Sequence, residues 1–254
     1  MSAQFYVKQA EVQVAEVRRR LTPVGLFQDL DVRLNVEEFA SLAGDCEIVM
    51  VPELTERRGL ELLERLHKLE YSDHEPTDTP LAGALCVANR ASRRWILVRT
   101  EDHPRRQRFT IAHELGHLFL EVEPEIEKGE SEGAELGLWF SDGREVHVFS
   151  RCSTTEGLLP PVPYIIKAAP VGPDLREIKA HHFASELLMP YEGVKRLVRQ
   201  LVGAGGIRTA GKLDELVRAI SQQYDVSIAA AELRAEKDLG IIPIDNHPNG
   251  ELFA

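Results

Sequence analysis

Apolar residues recur at helical spacing along much of this 254-residue chain, and they stand consecutively in only a few short stretches. Three- and four-residue spacing predicts an amphipathic helix, whereas a short apolar run predicts a strand. Helices are predicted at residues 7–21, 36–42, 55–70, 174–189, 195–201, 213–224 and 229–239. Strands are predicted at 47–51, 81–88 and 93–98, with a second hairpin at 136–149. This mixture predicts an α+β fold.

The segment 81–98 predicts a β-hairpin, because two apolar runs flank a polar turn at 89–92. An edge strand in this position can hydrogen-bond the extended backbone of a peptide substrate. The alternative is that the hairpin only covers the core, which is the simpler role for most of its residues. Both interpretations stay open from the sequence.

One short motif carries recognisable chemistry, His113-Glu114-Leu115-Gly116-His117. On a helix, residues four apart lie on the same face, so His113 and His117 can bind one metal ion together. Such a site keeps a coordination position open for water and lowers the pKa of that water. Glu114, about 100° round the helix, would take the proton of the water as it attacks a carbonyl.

The segment around the motif has the signals of a buried helix. Pro104 suits the first turn, and Asp102 just upstream is a candidate N-cap. Apolar residues surround the helix on nearly all sides, and a helix of that kind is buried. The alternative is a chance match with two hydrogen-bonded core histidines. We favour the metal site, because burying two histidines and a glutamate without a partner is costly.

A catalytic zinc site usually needs a third protein ligand. The helix predicted to begin near Asp174 places Glu177 on the same stripe as its core residues, which makes Glu177 the first candidate. His181, one turn later, is predicted to hydrogen-bond a ligand or, less readily, to bind the metal itself. Glu186 falls on the opposite face and is predicted to lie at the surface.

Composition narrows the class of protein. The formal net charge of −11 repels a phosphate backbone, and 6% aromatic residues argue against a single-strand binder that stacks bases, so no direct nucleic-acid contact is expected. Three cysteines without a CxxC pair indicate neither a disulfide scaffold nor a thiolate zinc site. No signal peptide or membrane-spanning run is recognisable, so a cytoplasmic protein is expected.

Four segments are predicted along the chain. Residues 1–75 form an N-terminal helical and strand segment packed on the core, and residues 76–200 form the catalytic core. Within that core, 121–173 is predicted to be an insertion that begins with an acidic surface loop. Residues 201–245 form C-terminal helices, and 246–254 form a tail. The last helix pair could be mistaken for a DNA-binding helix-turn-helix, but its acidic surface favours a protein partner.

Two paired motifs resemble the ImmA/IrrE family of metallopeptidases. The first is Arg-Phe-Thr-Ile-Ala-His-Glu-Leu-Gly-His at 108–117, and the second is Glu-x-x-Ala-x-x-Phe-Ala-x-Glu-Leu-Leu-Met-Pro at 177–190. The similarity extends from residue 81 to residue 242, apart from the insertion. Two features depart from the family pattern: His181 stands where Asn or Asp is usual, and the insertion between the ligands is long.

The resemblance implies a zincin-like minimal core, a small mixed sheet on the HExxH helix, with further helices added. It implies zinc bound by His113, His117 and Glu177 in a gluzincin-like set, with Glu114 as the base. It also implies cleavage of a helix-turn-helix repressor of the XRE-like type, which switches on stress or mobile-element genes. Chemically, this ligand set also accepts Mn²⁺ or another divalent ion.

Other roles stay open at the level of sequence. An oxyanion stabiliser should exist, and Tyr164, His182 and Tyr191 are candidates. Besides the peptidase, we consider a non-hydrolytic, metal-dependent regulatory or protein-binding module and a metallohydrolase of small substrates. The oligomeric state is not predicted.

Overall fold

The fold was analysed in a computed structural model that describes residues 3–21, 29–67, 78, 80–88, 93–124, 146–148, 152–153, 175–202 and 210–241. The chain forms two compact units. Asn35–Ala184 makes up one unit, and Met1–Leu34 together with Ser185–Ala254 makes up the other. The boundaries of these units differ from those of the four segments predicted from the sequence, which stay a prediction. None of the described helices has the length and apolar content that a membrane crossing requires.

A mixed sheet forms the centre of the unit Asn35–Ala184. Its strands are β1 (Cys46–Val51), β2 (Leu81–Ala88), β3 (Arg93–Arg99), β4 (Val146–Val148) and β5 (Cys152–Ser153). The order is β1-β3-β2-β4, and β5 also pairs with β2. β1 runs parallel to β3, while every pair made by β2 is antiparallel. The predicted hairpin of β2 and β3 and the α+β class are therefore confirmed.

β2 is not an edge strand, although the sequence allowed that role. β3 pairs with one side of it, and β4 and β5 pair with the other through Val87↔His147 and Gly83↔Cys152. Sequence patterns within 81–98 carry no information about a strand that arrives from fifty residues later. The first strand of the predicted second hairpin, 136–140, lies outside the described residues, and β4 lies within the second.

Three helices accompany the sheet in this unit: α2 (Val36–Gly44), α3 (Glu56–His67) and α4 (Pro104–His117). α4 has Pro104 in its first turn as predicted, but its cap is His103, whose Nδ1 accepts a hydrogen bond from the backbone of Arg105 at 3.2 Å. The prediction that Asp102 caps the helix is wrong. The carboxylate of Asp102 instead forms an ion pair with Arg106, with Oδ2 3.3 Å from Nε. Most of α4 is buried, as predicted from the apolar residues on nearly all of its sides.

Helix α5 (Leu175–Leu188) carries the chain from one unit into the other. The described part of the second unit also contains α1 (Ala3–Leu21), α6 (Tyr191–Val202), α7 (Ala210–Tyr224), α8 (Ile228–Leu233) and a π-helical turn, Arg234–Asp238. All of these lie where sequence periodicity predicts helices. Ser227 caps α8 by accepting a hydrogen bond from the backbone of Ala230 at 3.1 Å. Asp225 supplies the left-handed turn that precedes it, with φ of 52°.

Glu186 is buried, so its predicted place at the surface is wrong. Its carboxylate forms an ion pair with Arg234, whose guanidinium is 1% exposed, and it accepts a hydrogen bond from the backbone of Tyr191 at 3.1 Å. Arg234 also donates to the carbonyl of Met189 at 3.0 Å. The helical wheel failed here because a distant arginine supplies the charge that makes burial of a carboxylate tolerable.

Replacing Glu186 by Gln should lower the free energy of unfolding by about 2 kcal/mol, because buried Arg234 loses one of its two charged partners and keeps only Asp238, at 3.4 Å. The amide oxygen of Gln can still accept the hydrogen bond from the backbone of Tyr191. The measured loss of stability therefore reports mainly the removal of the negative charge. Urea unfolding of the purified protein measures it. The matched control is Glu16→Gln, which removes an exposed pair with Arg19 and should cost less than about 1 kcal/mol. Equal losses for the two variants would contradict the buried pair as a stabilising contact.

Candidate metal centre

The two motif histidines project from the last turns of α4 toward each other. Their Nε2 atoms are 3.2 Å apart, and their ring centroids are 4.9 Å apart. His113 is 5% exposed and His117 is 1% exposed. Two imidazole nitrogens that face each other at this distance inside a protein need a shared proton or a cation between them.

Glu177 reaches the same point from the first turn of α5. Its Oε2 lies 3.1 Å from Nε2 of His113, and its Oε1 lies 3.3 Å from Nε2 of His117. The side chain of Glu177 is 43% exposed, unlike the two rings, so the cluster opens to the surroundings on the glutamate side. The structure therefore brings together the three residues that the sequence singles out as ligands.

The two helices approach closely enough because Gly116 faces Ala180. A Cβ atom added to Gly116 would lie 2.8 Å from Cα of Ala180 and 3.0 Å from its carbonyl oxygen, which is closer than real Cβ contacts allow. Gly116 directly precedes His117, and Ala180 lies one turn after Glu177. This contact between small residues therefore sets the distance between the histidines and the carboxylate.

The donor set fits a divalent ion such as zinc. Ligand atoms from His113, His117 and Glu177 all lie within 4.8 Å of one another. Zinc bonds of about 2.0–2.1 Å in a tetrahedral arrangement hold neighbouring ligand atoms roughly 3.3 Å apart. The 3.2 Å between the two Nε2 atoms agrees with that edge length, and Glu177 approaches each ring at a similar distance through a different oxygen, 3.1 Å from Oε2 to His113 and 3.3 Å from Oε1 to His117. Three protein donors also leave the fourth position open, as catalytic zinc sites do.

The same three residues form a proton-binding cluster without an ion. Burial lowers the pKa of His117, but hydrogen bonds from its ring to Glu121 and Glu177 outweigh burial and raise the pKa to about 10. Burial raises the pKa of Glu177, yet the hydrogen bonds and charges of His113 and His117 hold that pKa well below its usual range. The site thus concentrates negative charge that a proton or a metal ion can neutralise.

Glu114 is fully buried between α4 and the sheet. A Cβ atom on Gly83 of β2 would overlap the methyl group of Thr110 and lie 3.4 Å from Oε1 of Glu114. Glycine at position 83 therefore lets β2 lie directly against the turn of α4 that carries Glu114. Its carboxylate is also near enough to His117 for its charge to raise the pKa of that ring.

The other predicted site residues have varied positions. His181 packs its ring against Phe109, with centroids 5.2 Å apart, and it is not one of the three clustered donors among the described residues. His182 is buried beside it on α5, with ring centroids 6.1 Å apart. Tyr191 begins α6 in the helical unit, where Lys195 lies over its ring. Tyr164 lies outside the described residues. The roles of these residues stay predictions.

Sequence reasoning missed one residue of the site, Glu121. The acidic stretch from 121 is predicted to be a surface loop, but the chain continues from α4 into a π-helical turn, Leu118–Val122. Oε1 of Glu121 lies 3.0 Å from Nδ1 of His117, on the side of the ring opposite the cluster. The four-residue spacing from His117 was the available signal, and the high glutamate content of the segment concealed it.

Comparison with protein families agrees with this geometry. Residues 55–136 match the model of Peptidase_M78, the IrrE N-terminal-like domain. This stretch, less than half of the chain, is therefore similar to the IrrE N-terminal-like domain. The matched region contains His113, Glu114 and His117 of the IrrE-like domain and ends before Glu177, so the convergence of helices α4 and α5 is what supports the third ligand.

Other comparisons add little to the family assignment. A solved structure titled "Mycobacterium tuberculosis transcriptional regulator" is similar to this chain, with 14% sequence identity and a TM-score of 0.40. The alignment covers 99% of this chain and 53% of that one, so the chain spans about half the length of that structure. No curated protein matches the chain.

Replacing Gly116 by Ala should push α5 away from α4 and separate Glu177 from the histidines. We expect zinc binding to weaken on the order of tenfold and the free energy of unfolding to fall by about 1–3 kcal/mol. Competition with a chromophoric chelator measures the first, and urea unfolding of the metal-free protein measures the second.

Gly44→Ala is the matched control for this variant. The added methyl there meets only side-chain atoms of Cys46, Leu115 and Leu118, at 3.1 Å, and these can move slightly. The control should bind zinc like the wild type. Unchanged zinc affinity in Gly116→Ala would show that the contact with Ala180 does not set the ligand distance.

Zinc affinity should rise with pH up to about pH 10, because the ion must replace the proton on His117. The raised pKa also means that this proton stabilises the metal-free fold fully below pH 6.5 and that the contribution is lost as pH rises through about 10. Release of one proton strengthens apparent binding by up to about tenfold per pH unit. Calorimetric titrations in buffers of different ionisation enthalpy count the released protons. An apparent affinity that is flat between pH 7 and pH 9 would contradict this assignment.

Proposed function

We propose that the chain is a zinc-dependent endopeptidase that cuts a regulatory protein at a specific site. The observation that carries the proposal is the convergence of His113, His117 and Glu177 from two helices, with the buried carboxylate of Glu114 on the intervening turn. The peptidase family of residues 55–136 supports the same chemistry.

In this proposal the residues of the chain hold the catalytic groups in place and transfer the proton of the attacking water. A divalent ion, when bound, supplies Lewis-acid polarisation of the scissile carbonyl and lowers the pKa of water. Glu114 is the candidate general base, which removes a proton from the attacking water and returns it to the leaving amine. Glu114 is buried, so bulk water is excluded from its carboxylate. The close contact between β2 and α4 restricts the orientation of that carboxylate.

The proposed substrate is a transcriptional repressor of the helix-turn-helix type, as the ImmA/IrrE resemblance implies. Cleavage of such a repressor would switch on the stress or mobile-element genes that it silences. Selectivity is expected because the two histidines are nearly inaccessible and the cluster is exposed mainly through Glu177. An unfolded or extended segment reaches such a centre more readily than a folded surface does.

Glu114→Gln should abolish cleavage of a candidate repressor while the protein keeps its zinc. Removing the base is expected to slow cleavage by at least about 100-fold, because general-base catalysis contributes that much in peptidases of this kind. Mass spectrometry of the fragments identifies the cut, and metal analysis of the same preparation measures zinc. Glu192→Gln is the control, because it alters an exposed carboxylate that pairs with Lys195.

Two results would contradict the proposed mechanism. Continued cleavage by Glu114→Gln would remove Glu114 from its role. Zinc-dependent binding of a repressor that is never cut, by the wild type at any condition tested, would instead show a non-hydrolytic regulatory module.

A further inference from the structure

The ring of His117 is held at both of its nitrogens. Nε2 faces His113 at 3.2 Å and Glu177 at 3.3 Å, while Nδ1 faces Oε1 of Glu121 at 3.0 Å. A carboxylate only accepts hydrogen bonds, so Nδ1 of His117 carries the hydrogen and donates it to Glu121. The lone pair of the neutral ring is then on Nε2, where the other two donors converge.

We propose that Glu121 is a positioning residue that fixes the tautomer and orientation of His117 for metal binding. This inference rests on the proposed zinc site and extends it by one residue. A carboxylate behind a histidine ligand increases the basicity of the ring and prevents it from rotating away from the ion. Glu121 contacts His117 at Nδ1, and not at the Nε2 atom that faces His113 and Glu177.

Glu121 lies in a π-helical turn that continues α4 directly after His117. α4 ends at His117, and in the turn Leu118–Val122 the backbone bonds span five residues, with the N–H of Glu123 bonded to the carbonyl of Leu118. Such turns are rare inside helices and are found frequently at functional sites. Only 20% of the side chain of Glu121 is exposed, so its contact with His117 is partly shielded from water.

A separate ion pair anchors the same turn without touching His117. Arg94 on β3 lies 2.9 Å from Oε1 of Glu123 and also donates to the carbonyl of Gly44 at 3.0 Å. Glu121 and Glu123 are therefore two carboxylates in one turn, each with its own partner. This arrangement allows the effect of the His117 contact to be distinguished from the effect of a loosened turn.

The test compares zinc affinity in Glu121→Ala, Glu121→Gln and Glu123→Ala, each measured by chelator competition. Glu121→Ala should bind zinc about 10- to 100-fold more weakly than the wild type. Glu121→Gln should recover most of this loss, because its amide oxygen can still accept the hydrogen bond from Nδ1. Glu123→Ala should unfold at lower urea concentration, yet bind zinc within about threefold of the wild type.

The possible failures are distinguishable. If the wild type binds zinc and Glu121→Ala binds it within threefold, only the role of Glu121 is overturned. The role is also overturned if Glu123→Ala loses as much affinity as Glu121→Ala, since the turn and not the contact would then matter. A wild-type protein that binds no zinc overturns the proposed function together with this inference.

Discussion

The close approach of two helices at Gly116 and Ala180 is the constraint on which the site depends. Neither residue has an atom beyond Cβ, so the helix backbones meet where larger side chains would hold them apart. This contact lies beside His117 on one helix and one turn from Glu177 on the other. Dispersion contacts between small residues thus substitute for a covalent link between the two halves of the candidate centre.

Much of this arrangement could be predicted from sequence, because it follows from local periodicity. The four-residue spacing of His113 and His117 places them on one face of any helix, and the wheel of α5 directs Glu177 toward its packed side. Strands β1, β2 and β3 were also found, since their apolar runs are short and bounded by turns. Each of these conclusions depends only on residues within about two helical turns of one another.

Contacts between distant segments account for part of what sequence reasoning missed. Glu186 lies at a polar position of its own helix, but Arg234 makes burial of its charge tolerable. β2 has partners on both sides because β4 and β5, which come much later in the chain, also pair with it. Glu121 was hidden for another reason, because composition suggested a loop while the backbone continued into a π-helical turn. The sequence pattern of one segment does not show which distant residue will pair with its charged side chain, or which distant strand will pair with its backbone.

The sequence separation of the ligands has a thermodynamic consequence. His113 and Glu177 are 64 positions apart, so an ion shared by them would close a long loop of chain. A cross-link over such a loop restricts the unfolded ensemble much as a disulfide does, and the effect grows only slowly with loop length. The long separation therefore costs little in closure entropy, and a bound ion would link helices α4 and α5 across it.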